Sequence, residues 1–476
     1  MVSIDVLPND ILLEIFDFRV GPDRPRRFLY VKKEIEAWQT LVHVCRRWRT
    51  VVFGSPLRLN LALVCTAETP VRDTLDVWPP LPLVIRYSGY YGTDSNYTTE
   101  GVDNIIAVLE RSDRVCEIDL MDVPNSHLED LLVAVQKPFP VLTHLRLNSD
   151  RGPVIPDSFL GGSAPHLHAI WLESIPFPGL SKLLLSATRL VDLQLWNIPH
   201  SGYISPEAMA TALSTLTCLG SLTLVFQSPH SWPDQESRHP PPLTRSVLPV
   251  LTNFAFKGVS DYLEYFVAII DAPQLNRLYM TFFNQIVFDT PQLIQFVNRT
   301  PTLKAPEKAH VIFGDDAARV KLSSVSSPTS FYEGLYVKIP CRELDWQVSS
   351  LEQVCTSSLP PLSTLEVLYI YKLPKSRPHW QDNIENELWL ELLHPFSAVK
   401  NLYLCDEFAP RIVFVLQELV GVRMTEVLPN LQNIFLEEPH ESGPVREGIR
   451  QFVAARQDPI GVSLWENSKQ DKILRY

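Results

Sequence analysis

From residue 115 onward a short apolar pattern, Leu-x-x-Leu-x-Leu in loose form, returns along the chain. It occurs as Val115-Ile118-Leu120, Leu142-Leu145-Leu147, Leu167-Ile170-Leu172, Leu190-Leu193-Leu195 and Leu219-Leu222-Leu224. It continues as Leu251-Phe254-Phe256, Leu275-Leu278-Met280, Leu365-Leu368-Ile370, Val399-Leu402-Leu404 and Leu431-Ile434-Leu436. Successive copies start 27, 25, 23, 29, 32 and 24 residues apart as far as Leu275, then 34 and 32 apart from Leu365. Proline stands two places before a leucine at Pro140, Pro165, Pro249, Pro273, Pro301 and Pro429. A proline there can end a preceding helix and lead the chain, extended, into a strand. Helical patterns fill the intervals, at Leu128–Val135, Pro206–Leu213, Tyr262–Ile270 and Pro291–Val297. Two of these begin on proline, which suits the first turn of a helix.

Strand then helix at this period is the signature of a leucine-rich-repeat-like solenoid, with a curved parallel sheet inside and helices outside. A compact α/β domain would share the strand–helix order but needs no common leucine register. The pattern is faintest between Leu303 and Pro361. There Ala309–Phe313 and Gly334–Ile339 read as strands, Arg319–Ser323 alternates with period two and can pair with one of them, and Leu344–Cys355 reads as a helix. Irregular units are expected here, not a domain boundary. Residues 227–242 read as a loop by composition. A helix over Val445–Ala455 and a strand over Ile460–Leu464 are expected to cap the stack.

The first fifty residues hold a different pattern. Pro8 opens a helical run in which Ile11, Leu12, Ile15 and Phe16 share a face, and a second stripe runs Trp38, Leu41, Val44, Cys45 and Trp48. Such short helices bury little area alone and need a partner or a following domain. Leu7-Pro8-Asn9-Asp10-Ile11-Leu12-Leu13-Glu14-Ile15-Phe16, with Leu41-Val42-His43-Val44-Cys45-Arg46-Arg47-Trp48-Arg49, closely resembles an F-box. The continuation Val51–Pro56, Leu75–Trp78 and Leu81–Ile85 looks like the large fungal class of F-box proteins, so the resemblance covers roughly the first ninety residues. It implies docking onto a Skp1-type adaptor, and through it membership of a cullin-RING ubiquitin ligase. By that resemblance Leu7, Pro8, Ile11, Leu12, Ile15, Leu41, Val44 and Trp48 would contact the adaptor, with Trp48 shared with the core. One departure is an inserted-looking stretch, Phe18–Arg27, basic and proline-rich and so expected as an exposed loop. The expected organisation is an F-box over 1–56, a connecting region over 57–110 with a first strand and helix, and the repeat over 111–476.

Composition narrows the function. Apolar residues at 45% and charged residues at 20% describe a folded chain, and forty prolines against eighteen glycines indicate sharply punctuated elements. A net charge of −12 disfavours nucleic acid and anionic membranes as partners. The seven cysteines are scattered without a CxxC pair, which favours a reducing compartment, cytoplasmic or nuclear. Neither a signal peptide nor a membrane span is expected. Nucleotide-loop, zincin, nucleophile-elbow and dinucleotide motifs are missing from the sequence, so neither catalysis, a metal nor a cofactor is expected. His166 and His168 form an HxH pair without further ligand types nearby.

In each repeat strand the residues between the leucines face outward, onto the concave side of the sheet. They include Arg146, Trp171, Trp196, Arg277, Tyr279, Tyr369, Tyr371, Tyr403 and Phe435, with His144, Glu173, Gln194, Asn401 and Asn433 among them. Tryptophan, tyrosine and arginine commonly anchor protein interfaces, so this stripe is the expected surface for a protein substrate. The alternative is a scaffold that joins partners without directing ubiquitination.

Overall fold

The computed structural model describes residues 7–20, 37–56, 58–88, 99–150, 152–229, 245–283, 289–304, 306–324, 333–357, 359–360, 362–373, 386–418, 426–437, 444–456 and 459–465. The chain divides into two compact units, Met1–Leu167 and His168–Tyr476. The sequence divisions at residues 56 and 110 both fall inside the first.

The first unit begins with α1 (Asn9–Val20), α2 (Ala37–Val42) and α3 (Arg46–Phe53), which pack on one another. Leu12 and Phe16, one turn apart, are buried, and the Phe16 ring lies 4.8 Å from that of Trp48. The single helix expected across Trp38–Trp48 is broken. The Val44 amide bonds the Leu41 carbonyl in a turn, and Cys45 is extended, its sulfur accepting the Trp48 N–H at 3.5 Å. Cys45 thus caps α3 instead of lying within a helix. A second correction concerns α1, which continues to Val20 and takes in Phe18 and Arg19. Residues 21–27 of the expected loop lie outside the described residues. Arg47 ties down the start of α1 by bonding Asn9 Oδ1 at 3.2 and 2.9 Å and the Leu7 carbonyl. Trp38 is buried against Phe53 and Trp78, at 6.0 and 5.3 Å, and its indole N–H donates to the Ala62 carbonyl at 3.1 Å.

Strand–helix units follow at once: β1 (Leu63–Cys65), α4 (Val71–Val77), β2 (Leu83–Ser88), α5 (Thr99–Leu109), β3 (Val115–Met121), α6 (Asn125–Ala134) and β4 (His144–Asn148). The strands are parallel and neighbour one another in that order. Strand pairing therefore starts well before the first leucine copy at Val115.

The second unit opens with β5 (Ala169–Glu173), α7 (Leu180–Leu184), β6 (Asp192–Ile198), α8 (Pro206–Leu213) and β7 (Ser221–Phe226). Then come β8 (Ser246–Val247), β9 (Asn253–Gly258), α9 (Ser260–Ala268), β10 (Ile270–Asp271), β11 (Arg277–Phe282) and α10 (Pro291–Arg299). It continues with β12 (Lys308–Phe313), β13 (Ala317–Ser323), β14 (Gly334–Pro340), α11 (Leu344–Ser357) and β15 (Val367–Lys372). It closes with α12 (Asn386–Leu393), β16 (Asn401–Leu404), α13 (Ala409–Glu418), β17 (Asn433–Leu436), α14 (Pro444–Ala455) and β18 (Gly461–Leu464). The expected C-terminal helix and strand are α14 and β18; most of the expected loop at 227–242 lies outside the described residues. Leucine-pattern residues such as Leu193, Leu222, Phe254, Leu278, Leu368, Leu402 and Ile434 are all buried beneath the sheet. Helices pack on their sequence neighbours, α7 on α8, α8 on α9, α9 on α10, then α11 through α14 in turn. Each unit covering the next is how a strand–helix repeat buries its core. One such contact is polar: Glu264 of α9 accepts the Gln292 and Leu293 amides at 2.9 and 2.7 Å and so caps α10 from the adjoining repeat.

The repeated prolines acquire a sharper role. The amide of the first leucine closes a turn onto the carbonyl three residues back at Leu142, Leu167, Leu251, Leu275, Leu303 and Leu431. Each proline is then the second residue of that turn, where its fixed φ fits without cost. Leu190, Leu219, Leu365 and Val399 close the same turn without proline.

Sheet order in the second unit is β5-β6-β7-β9-β11-β14-β13-β12-β15-β16-β17-β18. Among the described strands of this sheet only β13 runs against its neighbours: it is antiparallel to both β12 and β14, where the alternation of Arg319–Ser323 suggested one partner. Gly314 and Ala317 bracket the reversal between β12 and β13, and the wholly buried Gln347 of α11 holds it. The Gln347 amide nitrogen donates to the carbonyls of Gly314, Cys341 and Arg342 at 2.8, 2.9 and 3.3 Å.

Candidate functional site

Two surfaces, one in each unit, stand out from the packing. On α1 the side chains one turn apart fall into two stripes. Leu12 and Phe16 face the helical core, while Ile11, Ile15 and Phe18 are 43%, 42% and 88% exposed. Val44, in the turn between α2 and α3, is 59% exposed, and Pro8 is exposed at the start of α1. Among the described residues these three helices and their turns therefore leave four large apolar side chains exposed, against seven buried.

In the second unit the outward residues of successive strands fall into one register. Trp171 lies opposite Gln194, then Thr223, Ala255, Tyr279, Tyr336, Lys321, His310, Tyr369, Tyr403 and Phe435 follow strand by strand. Adjacent strands are spaced ~4.8 Å apart, so aromatic side chains in equal rotamers stack face to face. Tyr279 stacks on Tyr336 at 4.5 Å and 9°, His310 on Tyr369 at 4.5 Å and 4°, Tyr369 on Tyr403 at 4.3 Å and 18°, and Tyr403 on Phe435 at 4.3 Å and 7°. Trp465 closes this end, edge-on to Tyr403 at 5.4 Å, with its indole N–H on the Leu404 carbonyl at 3.3 Å.

Lys321 interrupts the ladder between Tyr336 and His310, and cations flank it. In the rows above and below stand Lys257, Lys338, Arg319, Arg277 and Lys308. Asp316, in the turn before β13, accepts from Arg319 at 3.1 Å and Lys338 at 3.5 Å; burial works to raise its carboxyl, and the Lys338 and Arg319 charges together outweigh it and hold the group below the usual range. Burial lowers the Lys321 ammonium, and the Arg277 charge adds to the effect. Burial pushes Tyr369 up to about 12, with Tyr403 contributing, so its hydroxyl stays protonated across the physiological range.

Burial, then the charges of Lys321 and Lys308, pushes the His310 imidazole down to about 3. A histidine in the unfolded chain titrates near ~6.5, so below that pH the unfolded state binds the extra proton and the folded state does not. Stability therefore falls with pH through this window, by about 2 kcal/mol between neutrality and pH 5. His310→Phe keeps a ring in the stack and is expected to remove that component from the urea midpoint measured against pH. Identical pH dependence in the two proteins would contradict the assignment.

No protein-family model matches the chain, and no curated protein matches it. A solved structure similar to it is the leucine-rich repeat-containing protein LegL7 from Legionella pneumophila, at 12% identity over 83% of this chain and 99% of that one. The TM-score is 0.26, too low a likeness to carry an argument. The repeat-like description rests on this chain's own leucine register, parallel strands and neighbour-packed helices.

Of the residues singled out from sequence, Trp171, Tyr279, Tyr369, Tyr403 and Phe435 share the central register. Arg277 sits one row below, opposite Asn253 and Gly334, and Trp196 one row above, opposite Glu173, its indole N–H on Gln194 at 3.1 Å. Arg146 belongs to the first unit, where it lies opposite Asp119 of β3. Tyr371 is a correction: it is buried at 5% exposure, edge-on to His310, so it supports the row instead of presenting to a partner. Among the expected adaptor residues, Leu12 and Leu41 are likewise buried and hold the helices together. Leu7 and Trp48 are half-buried, Trp48 against Phe16. Sequence reasoning missed Tyr336, His310 and Lys321. Their period-two strands were visible, but the order of β12, β13 and β14 in the sheet was not. Among the described residues no three His, Cys, Asp or Glu side chains stand together as metal ligands, and no helix is long and apolar enough to cross a membrane.

Proposed function

We propose that this chain is a substrate-recognition subunit of a ubiquitin ligase of the Skp1–cullin–F-box type. Its N-terminal helices bind a Skp1-type adaptor and the outward face of the repeat binds a protein substrate. The observation that carries this reading is the exposed stripe Ile11, Ile15 and Phe18 on α1, left over after Leu12, Phe16, Leu41 and Val42 have formed the helical core. The resemblance of Leu7–Phe16 and Leu41–Arg49 to an F-box supplies the identity of the partner. Adaptor contact falls to Leu7, Pro8, Ile11, Ile15 and Val44, with Trp48 at the margin. Substrate contact falls to the register of Trp171, Tyr279, Tyr369, Tyr403 and Phe435 and its neighbours Trp196 and Arg277. The first unit's Arg146 is the remaining proposed contact.

Reconstitution tests the reading. The full chain, mixed with a Skp1-type adaptor, a cullin and a RING subunit, is expected to form one assembly and to transfer ubiquitin to a captured partner. Assembly with capture but no transfer would make the chain a scaffold, and no assembly at all would remove the ligase reading.

A further inference from the structure

The sheet face of the second unit is not uniform in charge. Strands β9, β11, β14, β13 and β12 are consecutive in space, and their sequences contain no Asp or Glu. The same five strands carry Lys257, Arg277, Lys338, Lys321 and Lys308 on the outward face, with Arg319 buried at 8% exposure in the same rows, in a chain whose net charge is −12. Asp316 neutralises part of the Arg319 and Lys338 charge, and Lys257 lies 5.3 Å from the Phe283 ring. A face that carries cations and no carboxylate along five strands is complementary in charge to an acidic partner.

We propose that this stretch binds an extended, Asp/Glu-rich segment of a protein partner. The proposal rests on the reading of this face as a partner surface and adds the chemistry of what it takes. Five strands span about 19 Å, the length of about six residues of extended chain. Carboxylates of such a segment would meet Lys257, Arg277, Lys338, Lys321 and Lys308. A nucleic acid fits less well. The rings stack on one another, Tyr279 on Tyr336 and His310 on Tyr369, so those faces are spent within the ladder and present no platform for bases.

Fluorescence anisotropy on the full chain tests this with four labelled probes of equal length. These are a Glu/Asp-rich peptide containing tyrosine, a neutral peptide of the same tyrosine content, a Lys-rich counterpart and oligouridylate. The acidic peptide is expected to bind, and to weaken at least ~10-fold both on raising salt from about 50 to 200 mM and in Lys257→Glu with Lys308→Glu. Lys321→Gln, a milder change, is expected to weaken it in the same direction, with thermal melts confirming that each variant is folded. Tighter binding of oligouridylate, or no effect of the charge changes, overturns the proposal. Binding of the neutral or basic peptide that is lost in Tyr369→Ala with Tyr403→Ala also overturns it, while leaving the face as a partner surface. If none of the four binds, both the acidic-segment proposal and the partner-surface reading fall.

Discussion

Gln347→Leu is expected to destabilise the second unit by about 3 kcal/mol, a large share of a typical domain's stability. Leucine fills a similar volume, so the effect isolates the polar contacts. The Gln347 amide nitrogen satisfies the carbonyls of Gly314, Cys341 and Arg342, which end β12 and lead from β14 into α11. With Gln347 and Gly314 both buried, the Gly314 carbonyl would lose its donor away from water, and the Cys341 and Arg342 carbonyls would lose theirs at the margin of the core. The fault would appear first where β13 turns back between β12 and β14. Hydrogen exchange should show β12–β14 opening before β5–β7, and an unchanged urea midpoint would show that the clamp is dispensable.

Gly334→Ala is expected to cost about 3 kcal/mol from strain alone. Gly334 starts β14 with φ of 102°, a backbone conformation that residues with a Cβ rarely adopt. A Cβ there would sit 2.0 Å from the Leu322 carbonyl oxygen of β13, which is backbone and cannot swing aside. The matching control is Gly220→Ala. Its φ is not positive and a Cβ would meet nothing closer than 3.8 Å, so alanine there should leave stability unchanged or raise it by up to about 1 kcal/mol. Equal effects at the two glycines would refute the geometry of the β13–β14 junction.

Both predictions fall in the stretch where the leucine pattern fades, and the reason is physical. Elsewhere Leu193, Leu222 and Leu402 each report a strand because one buried face repeats at one offset, and the turn before each strand accepts proline. Such local regularities are legible from sequence. The position of β13 is not local. It depends on which edges β12 and β14 leave open, and period-two alternation in Arg319–Ser323 says only that one face is buried. Lys321 and His310 therefore could not be placed beside Tyr369 without the sheet order. The helix break at Cys45 escaped for a related reason. The apolar stripe continues in period across it, while the Leu41–Val44 turn ends α2 and the Cys45 sulfur caps the start of α3. Conversely, Ile11 and Leu12 look equivalent as apolar residues, and only packing separates the exposed stripe from the buried one.

The proposed role of that exposed stripe is the claim from which the rest of the function follows. The direct measurement is the affinity and stoichiometry of the full chain for a purified Skp1-type adaptor, comparing wild type with Ile11→Glu and Ile15→Glu combined. Both side chains are exposed, so the variant should melt like wild type. A one-to-one complex that weakens at least ~100-fold in the variant, the scale of two buried charges at an apolar interface, is the predicted result. Equal affinity in the two proteins, or no complex with wild type, would contradict it.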